Sequence, residues 1–146
     1  MSVVVIGCNG QLGQDLMIRL RALGRQPVGA DLPEIDLTNE DSIRRIMAAH
    51  HPQVVINCSA FTAVDACESE REKAFAINAN GVAALARATN EIGGTLVHIS
   101  TDYVFTGEGT EPFPEEAPEE AFGPQCVYGR TKLEGERRVQ ALGGPW

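Results

Sequence analysis

At 146 residues, 43% hydrophobic and 22% charged, the chain is long enough for one domain with a real core. Twelve Lys and Arg against 20 Asp and Glu leave a net charge of −8, which argues against a nucleic-acid polymer as partner because phosphate binding needs a basic face. No apolar run approaches the roughly 18 residues of a membrane helix, and the start Met-Ser-Val-Val-Val-Ile-Gly has no basic signal-peptide region, so no membrane partner and a cytoplasmic location are expected.

Val3–Ile6 reads as a strand buried on both faces. Residues 11–23 read as a helix with Leu12, Leu16, Leu20 and Leu23 on its inner face and Gly24 as its stop. Residues 27–30 read as a second strand and 35–37 as a short third. Thr38 is the expected N-cap of a helix that buries Ile43, Ile46 and Met47 and ends before Pro52. Val54–Asn57 is the next strand. Ser69-Glu70-Arg71-Glu72 has the form of a capping box opening a long helix to about Ile92, ended by Gly93-Gly94. A strand at 95–100 follows, the fifth in this count. The Pro- and Glu-rich stretch 106–126 reads as a loop, and a last helix runs from about Val127 to Leu142. Alternating strands and helices imply an α/β fold, a Rossmann-type doubly wound parallel sheet.

Two constellations carry chemistry. Gly7-Cys8-Asn9-Gly10-Gln11-Leu12-Gly13 joins the first strand to the first helix. Gly7 permits the tight turn, Gly10 lets the backbone approach a pyrophosphate, and Gly13 lets helix and strand pack closely. The helix N-terminus then faces the phosphates. Asp31, at the end of the second strand, is placed to bind the adenosine ribose and to disfavour a 2′-phosphate, so NADH is favoured over NADPH. The second constellation is Tyr128-Gly129-Arg130-Thr131-Lys132 on the last helix, where positions i and i+4 share a face. A nearby ammonium would lower the phenol from its ordinary pKa of about 10. Thr101, just past a strand end, is placed to bind a substrate carbonyl beside Tyr128.

These blocks, with Asn57 to Asp65, Ser100-Thr101-Asp102-Tyr103-Val104-Phe105 and Tyr128 to Glu136, resemble the dTDP-4-dehydrorhamnose reductase family of extended short-chain dehydrogenases over the whole chain. The resemblance implies that NADH or NADPH reduces the 4-keto group of a dTDP-6-deoxyhexose in deoxysugar and polysaccharide precursor synthesis. Tyr128 would act as proton donor, Lys132 would hold the nicotinamide ribose, and Thr101 would orient the carbonyl. Asp102 and Tyr103 would lie against the sugar. Gly10, Gln11 and Leu12 would wrap the pyrophosphate; Asp31, Asp36 and Leu37 the adenosine end; Ala60, Phe61 and Thr62, with the backbone at Ile99, the remaining dinucleotide. Asn78 matches a helical Asn of the wider superfamily. Phe61 stands where relatives often carry His or Tyr, and Cys126 where Asn is usual. The sheet is expected to stop before its last strands and before the small substrate domain. Residues 1–146 would then be the dinucleotide-binding part, inactive alone, with an exposed edge at its last strand.

The partners expected are a small-molecule nucleotide sugar and, as an open assembly state, a homodimer. No metal site is expected: Cys8, Cys58, Cys67 and Cys126 show neither C-x-x-C spacing nor clustering with histidine, and reduced thiols follow. His50 and His51 read as a helix C-terminus, His98 as packed core, and the Glu-rich stretch from Glu108 as a solvated loop. Two other functions compete. A sugar-nucleotide epimerase or dehydratase is disfavoured because dehydratases carry Thr-Asp-Glu where Thr101-Asp102-Tyr103 stands. A non-catalytic regulatory subunit, like that of methionine adenosyltransferase, is disfavoured by the intact Thr101, Tyr128 and Lys132.

Overall fold

The computed structural model describes residues 1–146. Strands β1 (Val3–Ile6), β2 (Val28–Ala30), β3 (Val54–Asn57) and β4 (Thr95–His98) form one parallel sheet in the order β2-β1-β3-β4. The register pairs Ile6 with Ala30 and with Asn57, and Asn57 with His98, so the four carboxyl ends lie side by side. The order reverses between β1 and β3. Ligands of such sheets bind in the crevice at that point, outside the carboxyl ends.

Helices lie on both faces of the sheet, as the apolar β1 requires, but the α1 (Gln11–Ala22) side is open at β4, where Val97 is 41% exposed. Val4 and Ile6 point into the larger core with Ile43, Met47, Val82 and Leu85, from α2 (Glu40–His50) and α5 (Val82–Glu91). Val3 and Val5 point the other way, against Met17 of α1. Each fully buried Ile or Leu contributes about 1.5–3 kcal/mol of transfer free energy. Helix α6 (Val127–Leu142) lies beside α5, with Val139 in the larger core. No helix is long and apolar enough to cross a membrane.

Several local expectations are corrected. The inner face of α1 is Gly13 and Met17, flanked by half-buried Leu16 and Leu20; Leu12 and Leu23 are exposed. Methionine fills the position one residue along from the leucine stripe, and Gly13 brings the start of the helix onto the Gly7–Cys8 loop. Residues 35–37 are not a strand. Ile35 and Leu37 are buried in the core, but the backbone is satisfied locally: the Ile35 amide donates to the Asp31 carbonyl at 3.1 Å and the Asp36 amide to the Ser42 hydroxyl at 2.9 Å. The sheet therefore has four strands, and β4 is the fourth.

The N-cap of α2 is Asn39, whose side-chain oxygen accepts the Asp41 and Ser42 amides at 3.0 and 3.3 Å. Thr38 is held instead by the Asp36 carboxylate. The capping box at 69–72 does not form, because Ser69 ends a helix that was not foreseen, α3 (Val64–Ser69), and its hydroxyl donates back to the Ala66 carbonyl at 3.2 Å. The long helix starts afresh as α4 (Arg71–Phe75), passes through a π-helical turn (Ala76–Gly81), and continues as α5. Such turns often mark functional positions, and this one carries Asn78. The exposed-edge expectation is met only in part: the Leu96 amide of β4 donates to the Pro145 carbonyl at 3.1 Å.

Candidate functional site

A cleft of about 620 Å³ opens above the carboxyl ends of β1 and β3. Its walls bring together Gly7, Gly10, Gln11, Asp31, Asp36, Leu37, Ala60, Phe61 and Thr62, all expected from the sequence. Gly7 has φ +74°, a conformation only glycine adopts cheaply, and its amide bonds the Ala30 carbonyl at 2.9 Å. Gly13 does not line the cleft. A Cβ there would collide with the Gly7 carbonyl and come within 2.8 Å of the Cys8 Cα, so its role is to let α1 sit on the loop. Leu12 lies outside the lining and is 42% exposed.

The N-terminus of α1 is bare. Gly10 supplies no side-chain cap, and no acidic residue stands in the first turn. Its unpaired amides and positive dipole end suit an anionic group in the cleft. The chain's groups thus fit a dinucleotide pyrophosphate. The Asp31 carboxylate has a structural task as well: its oxygens accept the Asn9 amide at 3.0 Å and the Leu32 amide at 2.9 Å, tying the glycine loop to the end of β2.

Phe61 gains a partner the sequence did not announce. The Lys73 ammonium stands 4.5 Å from its ring centroid while paired with Glu70 at 2.8 Å, and Lys73 itself lines the cleft. The backbone of Phe61 is clamped by Asn78, which is 1% exposed. Its oxygen accepts the Phe61 amide at 2.8 Å, and its nitrogen donates to the Phe61 carbonyl and to the Thr131 hydroxyl, each at 3.0 Å. Asn78 is therefore a junction between the cleft loop and α6. The cleft also includes Ile6, Leu32, Ile35, Cys58, Ser59 and Ile77; several carry only apolar side chains, so sequence offers no signal for them.

The second group gathers where α6 meets the end of β4. Gly129 is pressed against the Tyr103 carbonyl and Gly135 against that of Asn78, so neither tolerates a Cβ. This close approach sets Tyr128 beside the short 3₁₀ turn Asp102–Val104. The Tyr128 and Tyr103 rings meet edge to face, centroids 5.7 Å apart. The Thr101 hydroxyl donates to the Asp102 carboxylate at 3.2 Å and accepts the Tyr103 amide at 3.3 Å. At the start of α6, the Cys126 sulfur accepts the Gly129 amide at 3.4 Å, a weak acceptor at an N-cap, and the Glu68 carboxylate accepts the Val127 amide at 2.7 Å. The loop 106–126 is pinned at its base, where Phe105 stacks with Phe113 and Phe122 at 4.5 and 5.2 Å.

Lys132 is 2% exposed, and its amine donates to the Ile99 carbonyl at 2.6 Å, with the His98 Nε2 at 3.4 Å. It makes no hydrogen bond to Tyr128. Burial lowers its pKa to about 8, against an upward pull from Glu136. The Tyr128 phenol moves up rather than down as the sequence led us to expect. Burial pushes it upward, the Thr101 hydroxyl pulls it back, and Cys67, Asp102 and Cys126 add to the rise. Desolvation wins because the Lys132 amine is engaged at the end of β4 and not at the phenol.

The sequence of the chain matches the family described as RmlD substrate binding domain over residues 1–145. The chain belongs to this family. Within the RmlD family it is 42% identical over 136 residues to a dTDP-4-dehydrorhamnose reductase of Streptomyces griseus, covering 93% of this chain and 44% of that one. Its fold is similar to the crystal structure of a dTDP-4-dehydrorhamnose reductase from Clostridium acetobutylicum, with TM-score 0.91 and 42% identity over 98% of this chain and 50% of the other. A Bacillus anthracis dTDP-4-dehydrorhamnose reductase crystallised in complex with NADP gives TM-score 0.90 and 36% identity, over 97% of this chain and 49% of the other. The chain spans about half the length of the curated relatives it matches.

Proposed function

We propose that residues 1–146 hold the dinucleotide and the proton-donating set of an NAD(P)H-dependent reductase acting on the 4-keto group of a dTDP-6-deoxyhexose. The carrying observation is the cleft over the uncapped N-terminus of α1; Thr101, Tyr128 and Lys132 do not line it, but Tyr128 and the cleft residue Phe61 pack on the same small cluster of Cys67, Ala74 and Val127. The relatives' names and the NADP bound by the Bacillus anthracis protein support the same reading.

When bound, the dihydronicotinamide supplies a hydride to the keto carbon. The electron pair of the C=O bond moves onto oxygen, which takes the phenolic proton of Tyr128, giving an alcohol and a phenolate. Burial suits Tyr128 to this direction, because a raised pKa keeps the proton in place until the alkoxide forms. Thr101 holds the carbonyl, Asp102 and exposed Tyr103 face the sugar, and Lys132 neutralises the phenolate and holds the nicotinamide ribose. Gly7, Gly10, Gln11 and Leu12 hold the pyrophosphate with Gly13 as packing support; Asp31, Asp36 and Leu37 hold the adenosine; Ala60, Phe61, Thr62 and the Ile99 backbone complete the groove. A cytoplasmic location and a homodimeric assembly belong to the same proposal.

The test is oxidation of NADH or NADPH, followed by absorbance, with a dTDP-4-keto-6-deoxyhexose. The complete protein reduces it, and Tyr128→Phe lowers kcat by about 10²-fold or more while dinucleotide binding persists. The 146-residue chain binds dinucleotide but turns over poorly. Formation of an epimerised or dehydrated sugar in place of the alcohol would contradict the reading.

A further inference from the structure

The sequence reads His98 as packed core, and in the structure it bridges the end of β3 to Lys132. Its Nδ1 lies 3.1 Å from the Asn57 side-chain nitrogen, and its Nε2 lies 3.4 Å from the Lys132 amine. Asn57 is fully buried, and its amide cannot turn over freely, because its oxygen accepts the Ser59 amide at 3.0 Å. The group facing His98 is therefore an NH₂, which only donates. Nδ1 must carry a lone pair, and the single proton of a neutral imidazole must then sit on Nε2. That N–H points at Lys132. An ammonium has three donors and no acceptor, so a charged Lys132 in this place faces a donor with a donor. A neutral amine offers a lone pair to Nε2–H and still donates to the Ile99 carbonyl.

We propose that Asn57 and His98 form a donor relay that parks Lys132 against β4 as a neutral amine, so that protonating Lys132 releases it toward Tyr128. His98 is thus a positioning residue that acts through Lys132. Of the groups the reductase reading assigns, the relay uses Lys132 and the Ile99 carbonyl, and only its catalytic consequence rests on that reading. Above about pH 8 the amine stays on His98; below it the ammonium leaves. Helices α3, α4 and α5 also pack on α6 and carry Asp65, Cys67, Glu68, Arg71, Glu72, Lys73, Arg87 and Glu91, but the charge that acts on Lys132 is that of Glu136. Helix α6 contributes Glu136, which favours the ammonium and whose carboxylate is bonded by Ser100, and Tyr128 one turn back. The strand β4 contributes His98 alone, the π-turn none, and the 3₁₀ turn Asp102 and Tyr103. His98 itself stays neutral, its pKa pushed down to about 3 by burial and then by Lys132.

Long-range 1H–15N spectra of the labelled chain, free of any dinucleotide, read the tautomer of His98 directly, and the 13Cε shift of Lys132 reads its titration. The relay predicts the Nε2–H tautomer across neutral pH and a Lys132 midpoint near 8 that moves up by about one unit in His98→Gln, whose amide can rotate its oxygen toward an ammonium. An Nδ1–H tautomer in the unmodified protein overturns the proposal, and so does an unmoved midpoint in a His98→Gln chain with an otherwise unchanged spectrum. The tautomer stands as a test even where His98→Gln fails to fold. Because no dinucleotide or sugar is present, either result leaves the reductase reading to be judged by its own assay.

Discussion

Single residues set the geometry here through space they leave empty or protons they refuse. Gly13 is required because the Gly7 carbonyl occupies the place of its Cβ. Gly13→Ala is expected to cost about 1–3 kcal/mol, as overpacking does, and to weaken NADH binding; a thermal melt with a parallel titration checks both. His98 and Lys132 make stability depend on pH. A histidine held at a pKa of about 3 contributes stability that is present above the ordinary value of 6.5 and is lost as pH falls toward 3. About 2 kcal/mol should disappear between pH 6.5 and 4, at about 1.4 kcal/mol per tenfold change in proton affinity with allowance for partial exposure. Lys132, lowered to about 8, adds a gain as pH rises from 8 toward 10.5, where only the unfolded chain still binds that proton. Urea melts from pH 4 to 10 read both limbs, and the acid limb should flatten in His98→Gln. A flat acid limb in the unmodified chain would contradict the account.

Elements reach the site through a few polar side chains at their ends. Asn78, itself buried, joins the π-turn, the Phe61 loop and α6 by three hydrogen bonds. Asn78→Ala leaves the Phe61 amide, its carbonyl and the Thr131 hydroxyl short of partners, at about 1–3 kcal/mol for each group left unsatisfied. A loss of about 2–4 kcal/mol in urea melts, with weaker dinucleotide binding, is the expected outcome. Much at this scale was legible in the sequence, because period and punctuation encode it: β1, β3 and α6 have the expected bounds. The failures have physical causes. Buried Ile35 and Leu37 look like strand residues because burial and strand pairing share an apolar signature, and only the local hydrogen bonds tell them apart. Ser69 looks like a cap because its hydroxyl suits either end of a helix; here it bonds backward. The glycine loop and the Tyr128–Lys132 spacing were readable, since each is a local pattern. The Lys73–Phe61 contact and the His98–Lys132 contact were not, since tertiary packing alone brings them together.

At the scale of the whole molecule, the sheet order decides where chemistry can occur. The four strands end together, and the reversal between β1 and β3 opens the crevice that the glycine loop floors. The net charge of −8 does not prevent an anion from binding there, because the local field is that of the bare α1 N-terminus. Asp31 lines the same crevice, so NADH should bind more tightly than NADPH. The central claim, that this cleft is a dinucleotide site, is tested most directly by titrating NADH and NADPH into the chain while following nicotinamide fluorescence and the melting temperature. The account predicts saturable binding of NADH that raises Tm and is lost in Gly10→Trp, a variant that fills the cleft and melts like the parent. A folded parent chain that binds neither dinucleotide would contradict it.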